Sequence, residues 1–328
     1  MSTKFVAKPA PRSIVAKTVS SAKSPASKSP APKGKPTGGG RPPGLFTWVA
    51  IGVVIVIVLG LVIIKVTKNS PTSTNSGTYV ATSAATLADL TTIPASVFNT
   101  VGVTSSVFQV QAPLQIKNQP ALTAKAANGK SLPEVLYIGA EFCPYCAAER
   151  WSTIVALSRF GTWKGLGDTA SSSTDQYPNT PTFTFRKATF TSPYFVFTGV
   201  EQFSNVTDPS NAFYYPLMNP TKAETAIIDK YDVSKYFNFA ASNDGAIPFI
   251  SFGNKFFVAG ASYLPSMLAG ETRDQIAASL KAPTSPITDA IIASANLQTA
   301  AICKITNEQP SSVCNSSGVK AAKTALKI

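Results

Sequence analysis

Apolar residues follow three distinct patterns along this chain. Residues 45–64 are twenty consecutive uncharged positions, apolar on every helical face, and this length predicts one membrane-spanning helix over 45–65. Residues 135–140 form a short β-branched and aromatic run that is typical of a buried parallel strand. An amphipathic helical spacing follows this run and ends at Gly161. A strand-to-helix junction is therefore predicted near residue 143.

The second half of the chain contains a predicted hairpin followed by helices. Residues 246–252 and 256–258, separated by Gly-Asn-Lys, indicate a strand, a tight turn and a second strand. A helix is predicted over 272–281, and a longer one with a broad apolar face over 285–302. Strands mixed with helices in this order favour an α/β fold.

A long connection covers residues 161–200, where polar and apolar residues alternate over 182–185 and predict a half-buried strand. We expect its Phe and Tyr side chains to pack in the core, with extra sheet or a partner surface as the alternatives.

Basic charge is concentrated at the N-terminus. Nine of the 29 Lys and Arg residues lie within 1–44, a segment without acidic residues that is rich in Ala, Pro, Ser and Gly and is predicted to be disordered. Such a tail before an apolar span predicts a cytoplasmic N-terminus, a folded part outside, and attraction to anionic lipid. A cleaved signal peptide fits poorly, because the apolar run is too long and its leader too extended. Nucleic-acid binding is not expected, since no recognised motif accompanies the charge.

The chain has no histidine and four cysteines, which restricts the available chemistry. A His general base, a Ser-His-Asp triad and imidazole metal sites are excluded. Cys143 and Cys146 fall on the predicted strand-to-helix junction, with Pro144 in the first helical turn. A helix N-terminus stabilises the Cys143 thiolate, and Cys146 lies one turn further on, within reach to resolve a mixed disulfide.

A zinc site is the competing interpretation of the Cys-x-x-Cys motif. A zinc site would need Cys303 and Cys314 as further ligands, and their spacing is unlike a zinc knuckle. In an oxidising compartment Cys303 and Cys314 are instead predicted to form a structural disulfide that fixes a Pro-containing loop against the preceding helix. A regulatory or electron-relay role for this second pair is the alternative.

The motif resembles known families. CPYC is typical of glutaredoxins, and a strand, a Cys-x-x-Cys helix and a later Pro248 hairpin resemble the thioredoxin superfamily. The block CPYCAAERW more specifically resembles the domain of unknown function 929 family of membrane-anchored, thioredoxin-like proteins. The resemblance implies that Cys143 is the nucleophile and Cys146 the resolving thiol. It also implies that Pro248 is a cis-proline facing the pair.

Further residues are assigned around the motif. The Ile247 backbone is expected to bind an extended substrate, and Pro144 and Tyr145 are expected to contact it. Glu141, Glu149 and Arg150 flank the motif and are candidates for tuning proton transfer at Cys146. Glu149 and Arg150 are expected to lie on a solvated helix face. Glu134 is a candidate for the buried acid that assists thioredoxins.

The predicted architecture is an α/β fold: a thioredoxin-like mixed sheet flanked by helices, with an inserted segment and a C-terminal helical extension, preceded by one transmembrane helix. The predicted segments are a disordered basic cytoplasmic tail over 1–44, a transmembrane helix over 45–65, a linker over 66–90, a thioredoxin-like domain over 91–283, and a C-terminal helix with a disulfide-closed loop over 284–328.

The predicted function is that of a single-pass, membrane-anchored, extracytoplasmic thiol–disulfide oxidoreductase. The expected partners are exported proteins with cysteine thiols or disulfides, a membrane redox partner and the lipid bilayer; no nucleic acid, cofactor or metal site is predicted. One alternative is a non-catalytic thioredoxin-like binding or chaperone module with a structural cysteine pair. Another is a metal or copper carrier that uses Cys143 and Cys146 as thiolates.

Overall fold

The computed structural model describes residues 78–103, 110–210, 212–283 and 285–328. The predicted basic tail and the predicted membrane helix lie outside these residues. Across the part of the chain that is described, no helix combines the length and the apolar character needed to cross a bilayer.

The described strands are β1 Val80–Ala81, β2 Leu114–Gln115, β3 Thr123–Lys125, β4 Ser131–Gly139, β5 Thr162–Lys164, β6 Gly167–Ala170, β7 Pro181–Thr184, β8 Thr189–Thr191, β9 Val196–Glu201, β10 Phe203–Asp208, β11 Phe213–Pro216, β12 Phe249–Phe252 and β13 Phe256–Ala259. The described α-helices are α1 Ala84–Thr91, α2 Ala95–Val101, α3 Pro144–Ser158, α4 Lys222–Tyr231, α5 Arg273–Ser279, α6 Pro286–Ile305, α7 Ser311–Cys314 and α8 Ser317–Leu326.

A mixed sheet forms the centre of the fold, in the order β9–β4–β12–β13–β2. β4 and β9 are parallel, whereas β12 is antiparallel to both β4 and β13, as the predicted hairpin requires. β3 extends the sheet beside the first residues of β4. The second half of β4 is buried, in agreement with its continuous apolar run. The prediction of a mixed α/β fold is confirmed.

α3 shares one hydrophobic cluster with β4 and β12 of this sheet and also packs against α6 and β7. Trp151 is fully buried, with its ring edge-on to Phe183 at 4.7 Å between centroids. Its indole N–H donates to the Pro181 carbonyl at 2.9 Å. A buried indole needs such a partner, so this contact fixes how the helix is oriented on its neighbours.

The long connection contributes strands to two small sheets: β6 and β7 pair with β1 from the N-terminal part, and β5 pairs with β8. The strand predicted over 182–185 is present as β7, but the prediction that it is half-buried is wrong, because the whole of β7 is buried. The Thr182 hydroxyl is satisfied internally, since it donates to the Ala147 carbonyl at 2.8 Å, and this bond allows a polar residue to lie beneath α3. Phe185 stacks on Trp163 at 5.6 Å, which fits the expected core packing.

α1 begins inside the stretch 66–90 that was predicted to be a linker. Ser83 caps the helix, since its hydroxyl accepts the Thr86 backbone N–H at 3.1 Å. Leu90 is 1% exposed, and the helix packs against α5. A buried apolar position and a cap order this segment despite its polar composition.

The C-terminal part contains three helices rather than one helix and a loop. α6 is buried on all sides, packs against α3 and shares one hydrophobic cluster with it. The predicted Cys303–Cys314 disulfide is present, with 5.7 Å between the two Cα atoms. It joins α6 to the end of α7, and α8 then folds back onto α6.

Candidate functional site

The Cys-x-x-Cys motif lies where β4 ends and α3 begins. Cys143 is the N-cap of α3 and its sulfur accepts the Cys146 backbone N–H at 3.2 Å, while Pro144 occupies the first helical turn. Both cysteines are free thiols. Cys143 is 5% exposed and Cys146 is fully buried, so the first sulfur is the one nearer to solvent. The predicted strand-to-helix junction is confirmed.

A second segment of the chain approaches Cys143 from the neighbouring strand. The Ile247–Pro248 peptide bond is cis, as predicted. The Cys143 thiol donates to the Ile247 carbonyl oxygen, with 3.6 Å between sulfur and oxygen. β12 follows directly and pairs with β4, with Phe249 opposite Ile138. The sheet therefore brings together two segments that are a hundred residues apart in sequence.

The two thiols differ in their electrostatic environment. Burial raises the pKa of Cys143, but hydrogen bonds from the side chain and backbone of Cys146 lower it. The positive charge of Arg150 lowers it further, and the net pKa of Cys143 lies below its ordinary value. Burial raises the pKa of Cys146 well above its ordinary value, and its hydrogen bond to Cys143 adds to this rise. Cys143 is therefore the thiol of the pair that ionises more readily.

Arg150 does not lie on a solvated face, and that prediction is wrong. The side chain is fully buried because α3 lies on the sheet. Its Nε and Nη2 donate to the two oxygens of Glu201 at 2.8 and 2.6 Å, and Nη2 also donates to the Ala140 carbonyl at 2.6 Å. Glu201 ends β9, and a carboxylate closing an apolar strand was the signal in the sequence that could have revealed this buried pair.

Glu149 is also fully buried, contrary to prediction, because α6 covers this side of α3. Its carboxylate accepts hydrogen bonds from the Ser262 N–H at 2.7 Å, the Ser262 hydroxyl at 3.1 Å and the Gln298 amide at 2.8 Å. Burial raises the pKa of Glu149 from 4.5 to about 7, and the bonds from Ser262 only partly oppose this rise.

Glu149 is expected to make stability depend on pH. Its pKa is higher in the folded chain than in the unfolded one, so its contribution is complete below about pH 4.5 and is lost as the pH rises through about 7. The shift corresponds to about 3 kcal/mol. We expect Glu149→Gln to flatten the dependence of the unfolding free energy on pH over this window, as measured by denaturant titration at several pH values.

Asp232 is the matched control for this experiment. Burial, with the nearby Asp244, raises the pKa of Asp232 to about 7 as well, but this residue is the C-cap of α4 and lies on a different element from Glu149. Asp232→Asn should therefore remove the contribution of Asp232 to the pH dependence of the unfolding free energy and leave that of Glu149 in place. An unchanged profile in Glu149→Gln would contradict the assignment to Glu149.

The two remaining acidic candidates lie in different places. Glu141 is 4% exposed just before the motif, and burial raises its pKa while a hydrogen bond with Thr184 lowers it. Glu134 lies near the start of β4 and accepts the Thr198 hydroxyl at 2.5 Å. Gly139 lies five positions further along this strand, about 16 Å away. Glu134 therefore does not reach the cysteines, and its assignment as the assisting acid is wrong.

An aromatic surface adjoins the motif and was not predicted from the sequence. The Phe142 ring stacks on Tyr214 with 4.2 Å between centroids, and Phe213 lies edge-on to it at 5.7 Å. Phe213 and Tyr215 are 45% and 43% exposed. We call these four residues the aromatic surface. The run FYY in β11 was the only sign of it, and the sequence does not show that β11 lies beside the motif.

The residues predicted to contact substrate have different exposures. Tyr145 is partly exposed; its hydroxyl donates to Gln176 at 3.2 Å and its ring lies edge-on to Tyr177 at 5.9 Å. Pro144 is buried, and Ile247 is partly exposed.

Fold and site together define a class: a mixed α/β protein with a free Cys-x-x-Cys pair at the N-terminus of the helix that follows a central strand. Residues 115–304, more than half of the chain, match the family described as Domain of unknown function (DUF929), and the chain belongs to this family. The match includes the Cys143–Cys146 pair and Cys303 and ends before Cys314. No curated protein and no solved structure matches the chain.

Proposed function

We propose that this chain is a thiol–disulfide oxidoreductase that uses Cys143 as nucleophile and Cys146 as resolving thiol. One observation carries the proposal: the Cys143 sulfur caps α3, accepts the Cys146 N–H and lies 3.6 Å from the Ile247 carbonyl oxygen. A helix N-terminus favours a thiolate, and a lowered pKa makes that thiolate available near neutral pH.

A thioredoxin-like fold is part of this proposal. It is supported by the strand order β9–β4–β12–β13, in which only β4 and β9 are parallel and the cysteines follow β4. The cis Ile247–Pro248 bond directly before β12 and α5 after β13 are further support. β1, β5 to β8 and the helices after α5 are additions to this arrangement.

The proposed cycle conserves atoms and electrons. The Cys143 thiolate attacks a substrate disulfide, forms a mixed disulfide and releases one substrate thiolate. Cys146 then loses its proton and attacks the Cys143 sulfur, which forms the intramolecular disulfide and releases the second substrate thiolate. The substrate gains two electrons and the cysteine pair loses them. Oxidation of substrate thiols is the reverse reaction, and the reduction potential decides the direction.

The substrate is proposed to be an extended, cysteine-containing segment of an exported protein. The Ile247 carbonyl accepts the Cys143 thiol in the resting chain, and it would become free for a main-chain hydrogen bond to substrate once Cys143 has formed the mixed disulfide. The aromatic surface and Tyr145 offer contact to apolar side chains next to the reacting cysteine. Such contacts are tolerant of sequence, which suits an enzyme with many substrates.

The proposed location is outside the cytoplasm, with the chain anchored through residues 45–65. The Cys303–Cys314 disulfide supports this location, because disulfides persist in oxidising compartments. The basic residues before the apolar run support a cytoplasmic N-terminus. A membrane redox partner would then restore the Cys143–Cys146 pair after each cycle.

The alternatives predict different thiol chemistry. Because Cys303 and Cys314 are bonded to each other, they do not complete a zinc site with the motif. A copper carrier would still have two thiolates. A binding or chaperone module would present the aromatic surface and use the motif only as a structural pair.

The deciding experiment is a redox titration of the full chain in glutathione buffers of graded potential, with thiols counted by mass after alkylation. We expect a reversible two-electron couple confined to Cys143 and Cys146, and a Cys143 pKa below the free-thiol value of about 8.5. A disulfide that resists reduction until the chain unfolds would favour the binding module. A stoichiometric metal that protects both thiols would favour the carrier.

A further inference from the structure

Two buried hydrogen-bond donors near the cysteines have no partner within the described part of the chain: the Tyr137 hydroxyl and Nη1 of Arg150. Both side chains are fully buried. Buried donors are normally bonded, because an unpaired one loses its hydration without compensation. Two such donors on adjacent elements therefore need an explanation.

The backbone directs the Tyr137 hydroxyl toward the motif. Tyr137 and Gly139 point to the same side of β4, and a Cβ added at Gly139 would overlap the Tyr137 hydroxyl. The side chain therefore runs along the strand toward its C-terminal end, which leads to Cys143. Glycine at position 139 leaves the space that this hydroxyl occupies.

The Arg150 side chain extends from α3 toward the region that the Tyr137 hydroxyl occupies. It lies four residues after Cys146, and side chains with this spacing share one face of a helix and lean toward its N-terminus. Its Nη2 bond to the Ala140 carbonyl has this direction, and its guanidinium carbon lies 5.8 Å from the centroid of the Tyr137 ring. Nε and Nη2 donate to Glu201, so Nη1 is the guanidinium nitrogen that is left to face another acceptor.

We propose that the Tyr137 hydroxyl and Nη1 of Arg150 are a pre-positioned pair of donors that stabilises the Cys146 thiolate during resolution of the mixed disulfide. The inference rests on the proposed function and adds the groups that activate the buried sulfur. A thiol is a weak acceptor, whereas a thiolate is a charged one, so the two donors gain a strong partner only when Cys146 ionises. Donors that are paired only in the reactive state accelerate the step instead of stabilising the resting protein.

The acidic groups near Tyr137 and Arg150 have partners of their own. Glu201 on β9 is paired with Arg150, and Glu141 before the motif is bonded to Thr184. The electrostatics agree with the placement. Burial raises the pKa of Tyr137 and the two cysteines add to this rise, while burial raises the pKa of Cys146 and the Arg150 charge opposes that rise. The remaining neighbour is Cys143, which is bound to the substrate sulfur during the step.

The test separates the two steps with 5,5′-dithiobis(2-nitrobenzoate) and the full chain. Attack by the Cys143 thiolate releases one aryl thiolate and leaves an aryl mixed disulfide. Attack by the Cys146 thiolate then forms the Cys143–Cys146 disulfide and releases the second aryl thiolate. In Tyr137→Phe we expect the first release to keep its rate and the second to slow about tenfold or more, with its pH profile moved to higher pH. The ring remains, so the folded chain should be as stable as before or more so.

Tyr263→Phe is the matched control, because Tyr263 is also a buried tyrosine, 4% exposed, but its hydroxyl already donates to the Ala148 carbonyl of α3 at 2.6 Å. We expect this variant to lose stability and to keep the rate of the second release. A second release that is unchanged in Tyr137→Phe, or slowed equally in both variants, overturns the inference while the proposed function stands. Failure of the unsubstituted chain to give two releases would instead refute the proposed function.

Discussion

Cys143→Ser is expected to abolish thiol–disulfide exchange, whereas Cys146→Ser is expected to retain the first step and to accumulate mixed disulfides. The reason is the asymmetry of the pair. The Cys143 sulfur is the more exposed one and has a lowered pKa, while Cys146 is fully buried with a raised pKa. Without Cys143, the remaining sulfur is both inaccessible and protonated.

The measurement is the rate of iodoacetamide alkylation at pH 7, followed by mass. We expect Cys143→Ser to lower the rate by about tenfold or more, because only the thiolate reacts. Cys146→Ser should remain reactive, and non-reducing gels should show it bound covalently to partner proteins through Cys143. The double variant is the background control. Equal reactivity of the two single variants would refute the assignment of roles.

The sequence predicted those elements whose signal is local. The buried strand before the motif, the helix after it and the Cys303–Cys314 disulfide depend on short patterns, and the structure contains each of them. The cis bond at Pro248 is also present, but it was implied by the family resemblance and not by the local sequence. Apolar runs, a capped helix start and cysteine spacing retain their meaning without knowledge of the rest of the fold.

The errors concern residues whose environment is made by distant parts of the chain. Glu149 and Arg150 look like a solvated charged face, but α6 covers the first and the sheet covers the second. Their partners, Gln298 and Glu201, lie far away in the sequence. Charged residues are almost never fully buried unless they are paired, and a single sequence does not show the pairing.

Tyr137 illustrates the same limit within the site. Its position in an apolar strand predicts a core side chain, and burial confirms this. The unpaired hydroxyl follows from the glycine two residues later and from an arginine on the next helix, a combination that depends on how the two elements pack.

The largest effect on stability is expected at the Arg150–Glu201 pair. Glu201→Gln removes one charge from a pair in which both side chains are fully buried, and its amide directs N–H groups at a guanidinium that has only donors. Leaving one buried charge without its partner costs about 3–5 kcal/mol. We expect a loss of this size in the free energy of unfolding, measured by denaturant titration.

Asp89→Asn is the control, because Asp89 pairs with Lys281 at 3.4 Å on the exposed surface. Exposed pairs contribute at most about 1 kcal/mol, so this variant should remain close to the unsubstituted chain. If both variants lost the same small amount, the buried pair would not be a strong contributor to stability.

Glu201→Gln should also change the chemistry of the thiols in the molecules that remain folded. In the unsubstituted chain Glu201 offsets the Arg150 charge, and that charge lowers the pKa of Cys143 and opposes the rise in the pKa of Cys146. Without the carboxylate, the uncompensated guanidinium should lower the pKa of Cys143 further. The pH at which the alkylation rate of Cys143 falls should therefore be lower in Glu201→Gln than in the unsubstituted chain. A weaker fold with a more reactive thiol would show that the same ion pair stabilises the sheet and limits the acidity of the nucleophile.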